Sequence, residues 1–79
     1  MPEIVRLSNA KICIFPGDHA PPHFHLKGPG WIASIEIASL EILKGKAPKA
    51  DLAEAFEWAR VPENLAVLAS EWRRLNERE

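Results

Sequence analysis

The sequence is short of several things, and each shortage excludes a class of protein. It holds one cysteine, Cys13. No intrachain disulfide can staple the chain, so a reducing compartment, the cytoplasm, is the expected setting. It has no excess of charge: 10 Lys and Arg stand against 11 Asp and Glu, for a formal net charge of -1. A dedicated nucleic-acid binder carries a basic footprint instead, so nucleic acid is not expected as a direct partner. Arg73, Arg74 and Arg78 are interleaved with Glu71, Glu77 and Glu79 and read as a solvated, mixed-charge helix face. No apolar run approaches the roughly 20 residues that span a bilayer. The longest candidate, Trp31 to Leu43, is broken by Ser34, Glu36, Ser39 and Glu41. Met1-Pro2-Glu3-Ile4 shows no basic segment leading into an apolar one, so no secretory leader and no membrane are expected. There is no internal repeat and no low-complexity linker.

What remains is ordinary globular material. With 79 residues, of which 47% are hydrophobic and 27% charged, the chain reads as one folded domain over 1–79. A chain of this length buries only about 60% of its unfolded surface, so its core is thin. The apolar period changes once. From Glu3 to about Leu43 it alternates; from about Lys49 it recurs at three and four.

Strands are expected over Ile4–Leu7, Lys11–Phe15, His23–Lys27, Trp31–Ile37 and a short Leu40–Ile42. Ser8-Asn9-Ala10 and Gly28-Pro29-Gly30 are the turns. Lys11–Phe15 is apolar on both faces, which places it inside the sheet. Asp51 with Glu54 predicts a capping box at a first helix. Pro62 then breaks that helix and suits the first turn of a second, lined by Leu65, Leu68, Trp72 and Leu75. The expected fold is α+β: an antiparallel sheet of four or five strands, then two helices packed on one face. Phe24, Leu26, Trp31, Ile35, Phe56, Leu65, Leu68 and Trp72 are the expected core. For the tryptophans, packing is preferred to a base-stacking platform.

The concentrated chemistry lies in Asp18-His19-Ala20-Pro21-Pro22-His23-Phe24-His25, which contains all 3 histidines of the chain. On an alternating strand His23 and His25 share the face opposite Phe24 and Leu26, with backbones about 6.5 Å apart. Both rings can converge on one ion, zinc first among divalent metals, with His19 as a third ligand. Pro21 and Pro22 stiffen the loop that would return His19. Asp18 could ligate or accept a ring proton, and Glu36 on the next strand could add a carboxylate. Three ligands and one open position are the pattern of a catalytic metal site.

Two other readings stand beside this one. The imidazoles could work without metal as acid and base in phosphodiester cleavage, with Lys27 stabilising phosphate charge. Or His23, His25 and Lys27 are the wet face of a strand and Asp18 closes a turn. No serine or cysteine stands at a nucleophile spacing; Cys13 reads as a small buried residue.

The segment Asp18-His19-x-Pro21-Pro22-His23-x-His25 resembles the signature of a family of small bacterial proteins catalogued as a domain of unknown function. Gly28 and Gly30 match that family's turn, Gly45 and Pro48 its break before the helices, and Trp72 its late tryptophan. Ile14-Phe15-Pro16-Gly17 departs from its more aromatic strand end and polar turn. The resemblance implies a protein partner: a second small protein, encoded by a neighbouring gene in a toxin–antitoxin-like pair. The motif residues Asp18, His19, Pro21, Pro22, His23 and His25 carry over one by one. Asp18, Pro21 and Pro22, with Lys27 from its place on the strand face, are candidate binding residues around the histidines. It implies no reaction. An exposed sheet edge could also support a homodimer.

Overall fold

The structure, a computed structural model, describes residues 3–76. Met1 and Pro2, and the Glu77, Arg78 and Glu79 part of the mixed-charge face, lie outside them. Five strands are followed by two helices: β1 (Glu3–Arg6), β2 (Lys11–Cys13), β3 (His23–Gly28), β4 (Trp31–Glu36), β5 (Ile42–Gly45), α1 (Lys49–Ala59) and α2 (Pro62–Asn76). Neighbouring strands pair antiparallel in chain order, β1-β2-β3-β4-β5. This is the expected α+β arrangement.

The register sorts the side chains. Ile12 lies opposite Leu26, which lies opposite Ala33, and Phe24 lies opposite Ile35. Directly opposed residues share a face, so these form one apolar surface. Ala55 and Ala59 of α1 and Leu68 and Trp72 of α2 close over it, with Ile14 and Ile37 at its end. Each fully buried Phe or Leu here contributes about 1.5–3 kcal/mol of transfer free energy. β2 is buried on both faces: Ile12 and Cys13 are inaccessible, as is Ile14 just after it, and the strand ends at Cys13 rather than at Phe15. Of the expected core, Phe24, Leu26, Ile35, Leu68 and Trp72 are buried, while Trp31, Phe56 and Leu65 are half-buried and pack against it. The Trp31 indole lies over Gly28, where a Cβ would strike its ring.

Three local expectations are corrected. The last strand starts at Ile42 rather than Leu40. Leu40 has φ 60 and its N–H donates to the Glu36 carbonyl at 2.8 Å, so it belongs to the returning turn. Gly45 then ends the strand at φ 82, with the Ile32 carbonyl where a side chain would sit. The capping box does not form. Pro48 stands at the N-cap of α1 without a side-chain cap, and Asp51 is buried in the first turn, where the helix dipole favours a carboxylate. Glu54 reaches away instead, accepting from Ser8 N–H at 3.2 Å and Ser8 Oγ at 2.9 Å, which ties α1 to the β1–β2 turn. Finally, the buried stripe of α1 is Asp51, Ala55 and Ala59, and Phe56, expected in the core, lies beside it half-buried. Small residues let the helix lie close to the sheet.

Candidate metal centre

The face of the sheet away from the core carries the polar rows. Cys13 lies opposite His25, His25 opposite Ser34, and His23 opposite Glu36. Strand alternation alone places both imidazoles here. Asp18 arrives from the loop between β2 and β3, and α2 fixes where it lands. The last residue of that helix, Asn76, accepts from the Asp18 N–H at 2.9 Å and donates to the Phe15 carbonyl at 3.1 Å. One amide side chain thereby folds the loop back over β3.

The result is a convergence of three groups. Asp18 Oδ2 stands 2.9 Å from His25 Nε2 and 3.4 Å from His23 Nε2. Ligand atoms of Asp18, His23 and His25 all lie within 4.8 Å of one another. Tetrahedral donors at zinc bond lengths of about 2.0–2.1 Å sit about 3.4 Å apart, so small movements suffice to take an ion. The side chains of His23, His25 and Asp18 are 13%, 15% and 25% exposed, so the trio is largely covered but still reached by solvent.

The outer ring nitrogens decide what the inner ones offer. His23 Nδ1 lies 2.8 Å from the Pro21 carbonyl. A carbonyl only accepts, so Nδ1 carries the proton and Nε2 of the neutral ring presents a lone pair. That lone pair faces the Asp18 carboxylate oxygen. Nitrogen and carboxylate oxygen at this separation, 3.4 Å, are placed to share a cation, either a proton or a metal ion. His25 is less constrained. Its Nδ1 lies 3.3 Å from Ser34 Oγ, and a hydroxyl either donates or accepts. His25 Nε2 is also hydrogen-bonded to Asp18 Oδ2 at 2.9 Å. A carboxylate only accepts, so Nε2 donates there and Ser34 Oγ donates to Nδ1. A metal ion taking the place of the Nε2 proton would turn the Ser34 bond round, with Nδ1 donating. Both rings then have the outer partner that metal-bound histidines ordinarily have.

Aromatic contacts hold the rings in place. The Phe15 ring packs 4.8 Å from His25, the two imidazoles meet edge to face at 5.1 Å, and Trp72 lies 5.1 Å from His23. These contacts make both histidines less exposed than a wet strand face would be. Cys13 is buried beside His25 in the register, and burial pushes its thiol up against the pull of the nearby Lys11 ammonium.

A family profile, that of a domain of unknown function (DUF4160), matches residues 10–73. The chain belongs to this family. No curated protein and no solved structure matches it. The matched span of the DUF4160 domain includes all three converging residues and Trp72, and stops short of Asn76.

The remaining candidates sit elsewhere. His19 is exposed and is not among the converging ligands, because the Asn76 clamp turns its neighbour Asp18 inward and leaves His19 on the outer surface of the loop. Glu36 accepts from Ser39 Oγ at 2.7 Å, beside His23 in register but outside the trio. The Pro21 carbonyl fixes the His23 tautomer, across a loop whose Ala20–Pro21 bond is cis. The Pro22 carbonyl accepts from Ile37 N–H at 3.0 Å, extending the β3–β4 pairing. Lys27 is exposed farther along β3. Sequence reasoning missed Phe15, Ser34 and Asn76. For Asn76 a signal existed: it lies four residues after Trp72, hence on the same helix face.

Proposed function

We propose that Asp18, His23 and His25 are the protein ligands of a divalent metal, zinc first, in a small metal-dependent hydrolase. The observation that carries this is the convergence of His23, whose outer nitrogen the Pro21 carbonyl holds, and His25 on one Asp18 carboxylate oxygen, at 3.4 and 2.9 Å. Three ligands with an open side suit catalysis better than structure, and a metal so held lowers the pKa of a bound water to about 7. The chain's own residues orient the rings, through Pro21 and Ser34, and hold the carboxylate, through Asn76. The test is a titration of zinc, manganese and nickel into chelator-treated protein, followed through the imidazole NMR signals. Stoichiometric shifts of His23 and His25, lost on acidification and absent in Asp18→Ala, are expected. Rings indifferent to every metal would end this reading. Chelator-sensitive cleavage of a chromogenic phosphodiester such as bis(p-nitrophenyl) phosphate tests the hydrolytic half.

A second reading is favoured by β5, the outer strand, whose residues are all exposed, Ile42 and Leu43 included. Open apolar edges invite pairing with another strand. This supports a role as the partner-binding half of a two-gene, toxin–antitoxin-like module, as the family resemblance implies, or a homodimer through the same edge. Size-exclusion chromatography of the chain alone, and co-expressed with the neighbouring gene product, separates these two. The setting we assign is the cytoplasm, since the one cysteine is buried and unpaired. No helix among the described residues is long and apolar enough to cross a membrane.

A further inference from the structure

Farther along the same sheet face, past the histidines, three cations stand in a row. Arg6 of β1 lies directly opposite Lys11 of β2, and Lys11 lies directly opposite Lys27 of β3. Strands are about 4.8 Å apart, so the three backbones span only about 10 Å. Like charges directly opposed across strands destabilise a sheet. Lys11 meets that penalty twice, once on each side. This face is turned away from the core; Arg6 and Lys27 are exposed and Lys11 is half-buried between them.

The row borders an open cleft of about 370 Å³, walled by the Ser8–Asn9 and Gly28–Pro29 turns. The cleft lining includes all three cations and no carboxylate. Two acids stand near its margin. Glu3 Oε1 is 3.4 Å from the Arg6 guanidinium, and Glu54 is occupied by Ser8. Among the described residues neither Lys11 nor Lys27 has an ion-pair partner.

We propose that this row is the binding site for the phosphate group of a small phosphorylated ligand of mononucleotide size. A phosphate offers several acceptor oxygens to a fork of guanidinium and ammonium donors and removes the mutual repulsion of the three side chains. The volume suits a small molecule, whose pockets begin at about 300 Å³. A nucleic-acid strand fits less well: the chain carries a net charge of -1 and the cleft lining contains no aromatic ring for a base to stack on. Lys27 is two residues from His25 on one strand face, about 7 Å along β3. A phosphate ester seated on the row therefore reaches toward Asp18, His23 and His25. The assignment names the substrate class of the proposed hydrolase and rests on that reading for the chemistry, not for the binding.

The experiment uses the full chain, freed of metal by chelator, so that the phosphate site is tested apart from the metal site. Inorganic phosphate, uridine monophosphate and a short single-stranded oligonucleotide are titrated separately while backbone amide NMR signals are followed. The expected result is saturable shifts at Lys11, Lys27 and Gly28 with the mononucleotide, and weaker ones with phosphate. Lys11→Gln and Lys27→Gln should each weaken binding by about tenfold, the worth of one charged hydrogen bond. Lys27→Arg should retain it, and Lys49→Gln, an exposed lysine of α1 outside the cleft, should leave it unchanged. Melting temperatures of both cleft Gln variants at or above that of the parent would show that the loss is not misfolding. Absence of shifts with all three probes would overturn the proposal, as would shifts that survive both cleft Gln variants. Binding of the oligonucleotide alone would overturn the small-ligand assignment in favour of a polymer.

Discussion

β3 carries two different kinds of polar site at its two ends, on one face. At the His23–His25 end, each ring nitrogen faces an oxygen, and a loop is clamped down to complete the arrangement. At the Lys27 end, side chains of one sign are set opposite each other and left open. The first region turns ring nitrogens and a carboxylate toward one point; the second sets cations side by side, of which only Arg6 meets a carboxylate, that of Glu3. Neither arrangement is explained by the core on the far side. The contrast shows how a strand that needs only alternate residues for packing leaves the other half of its positions free for chemistry.

The sharpest way to break the comparison is to remove one member of the converging trio. His25→Gln takes away a direct ligand and should lower zinc affinity by more than about 100-fold, beyond the 10–100-fold loss typical of outer partners. Isothermal titration measures it, and Ser34→Ala, which removes only the outer partner of His25, should fall within that smaller range. Equal losses in the two variants would mean that His25 does not ligate. Asn76→Ala comes next. It leaves the Asp18 N–H and the Phe15 carbonyl unpaired at a half-buried site. The expected cost is about 1–3 kcal/mol of stability by urea denaturation, with weaker metal binding because Asp18 is no longer held. The Lys27 end should not notice either change.

How much of this could be read from the sequence differs between the two ends of the strand. Period-2 spacing made the sheet, the sidedness of His23 and His25, and the placement of Phe24 and Leu26 legible. The switch to helical spacing gave α1 and α2. Asp18 was legible as a neighbour of the histidines but not as the third converging group, because its position depends on Asn76, 58 residues away. The preference for His19 rested on ligand type, and ligand type says nothing about which side of a loop faces inward. The cation row was illegible for a related reason. Arg6, Lys11 and Lys27 look like scattered surface charges until the strand register sets them side by side. The capping box failed because its Glu54 found a partner at Ser8 across the fold, and local motifs carry no information about such competitors.

Cys13 lies between the two regions and gives a smaller test. Its pKa is raised mainly by burial, so the folded protein keeps the thiol protonated where the unfolded chain has begun to lose its proton. The sign follows from linkage: the contribution is fully present below the unfolded thiol's pKa and is lost as pH rises through the folded one. Unfolding measured across the alkaline range should show stability falling with pH in the parent, and a shallower fall in Cys13→Ala. In native protein at neutral pH the thiol should react with a disulfide reagent no faster than the chain opens. Prompt, stoichiometric labelling would place it at the surface.

The smallest expected effect is the one that most directly separates function from fold. Relieving a like-charge pair across strands is worth about 0.2–1 kcal/mol. Lys11 faces a cation on each side, so Lys11→Thr, which also suits a strand, should stabilise the free protein by an amount in that range. The gain should shrink in high salt, since exposed charges are screened. It should also shrink, or reverse, when uridine monophosphate is present, because the parent then gains ligand stabilisation that the variant lacks. A Thr variant less stable than its parent under every condition would show that Lys11 serves the sheet through its aliphatic stem. The opposed charges would then be a tolerated cost of packing rather than a site.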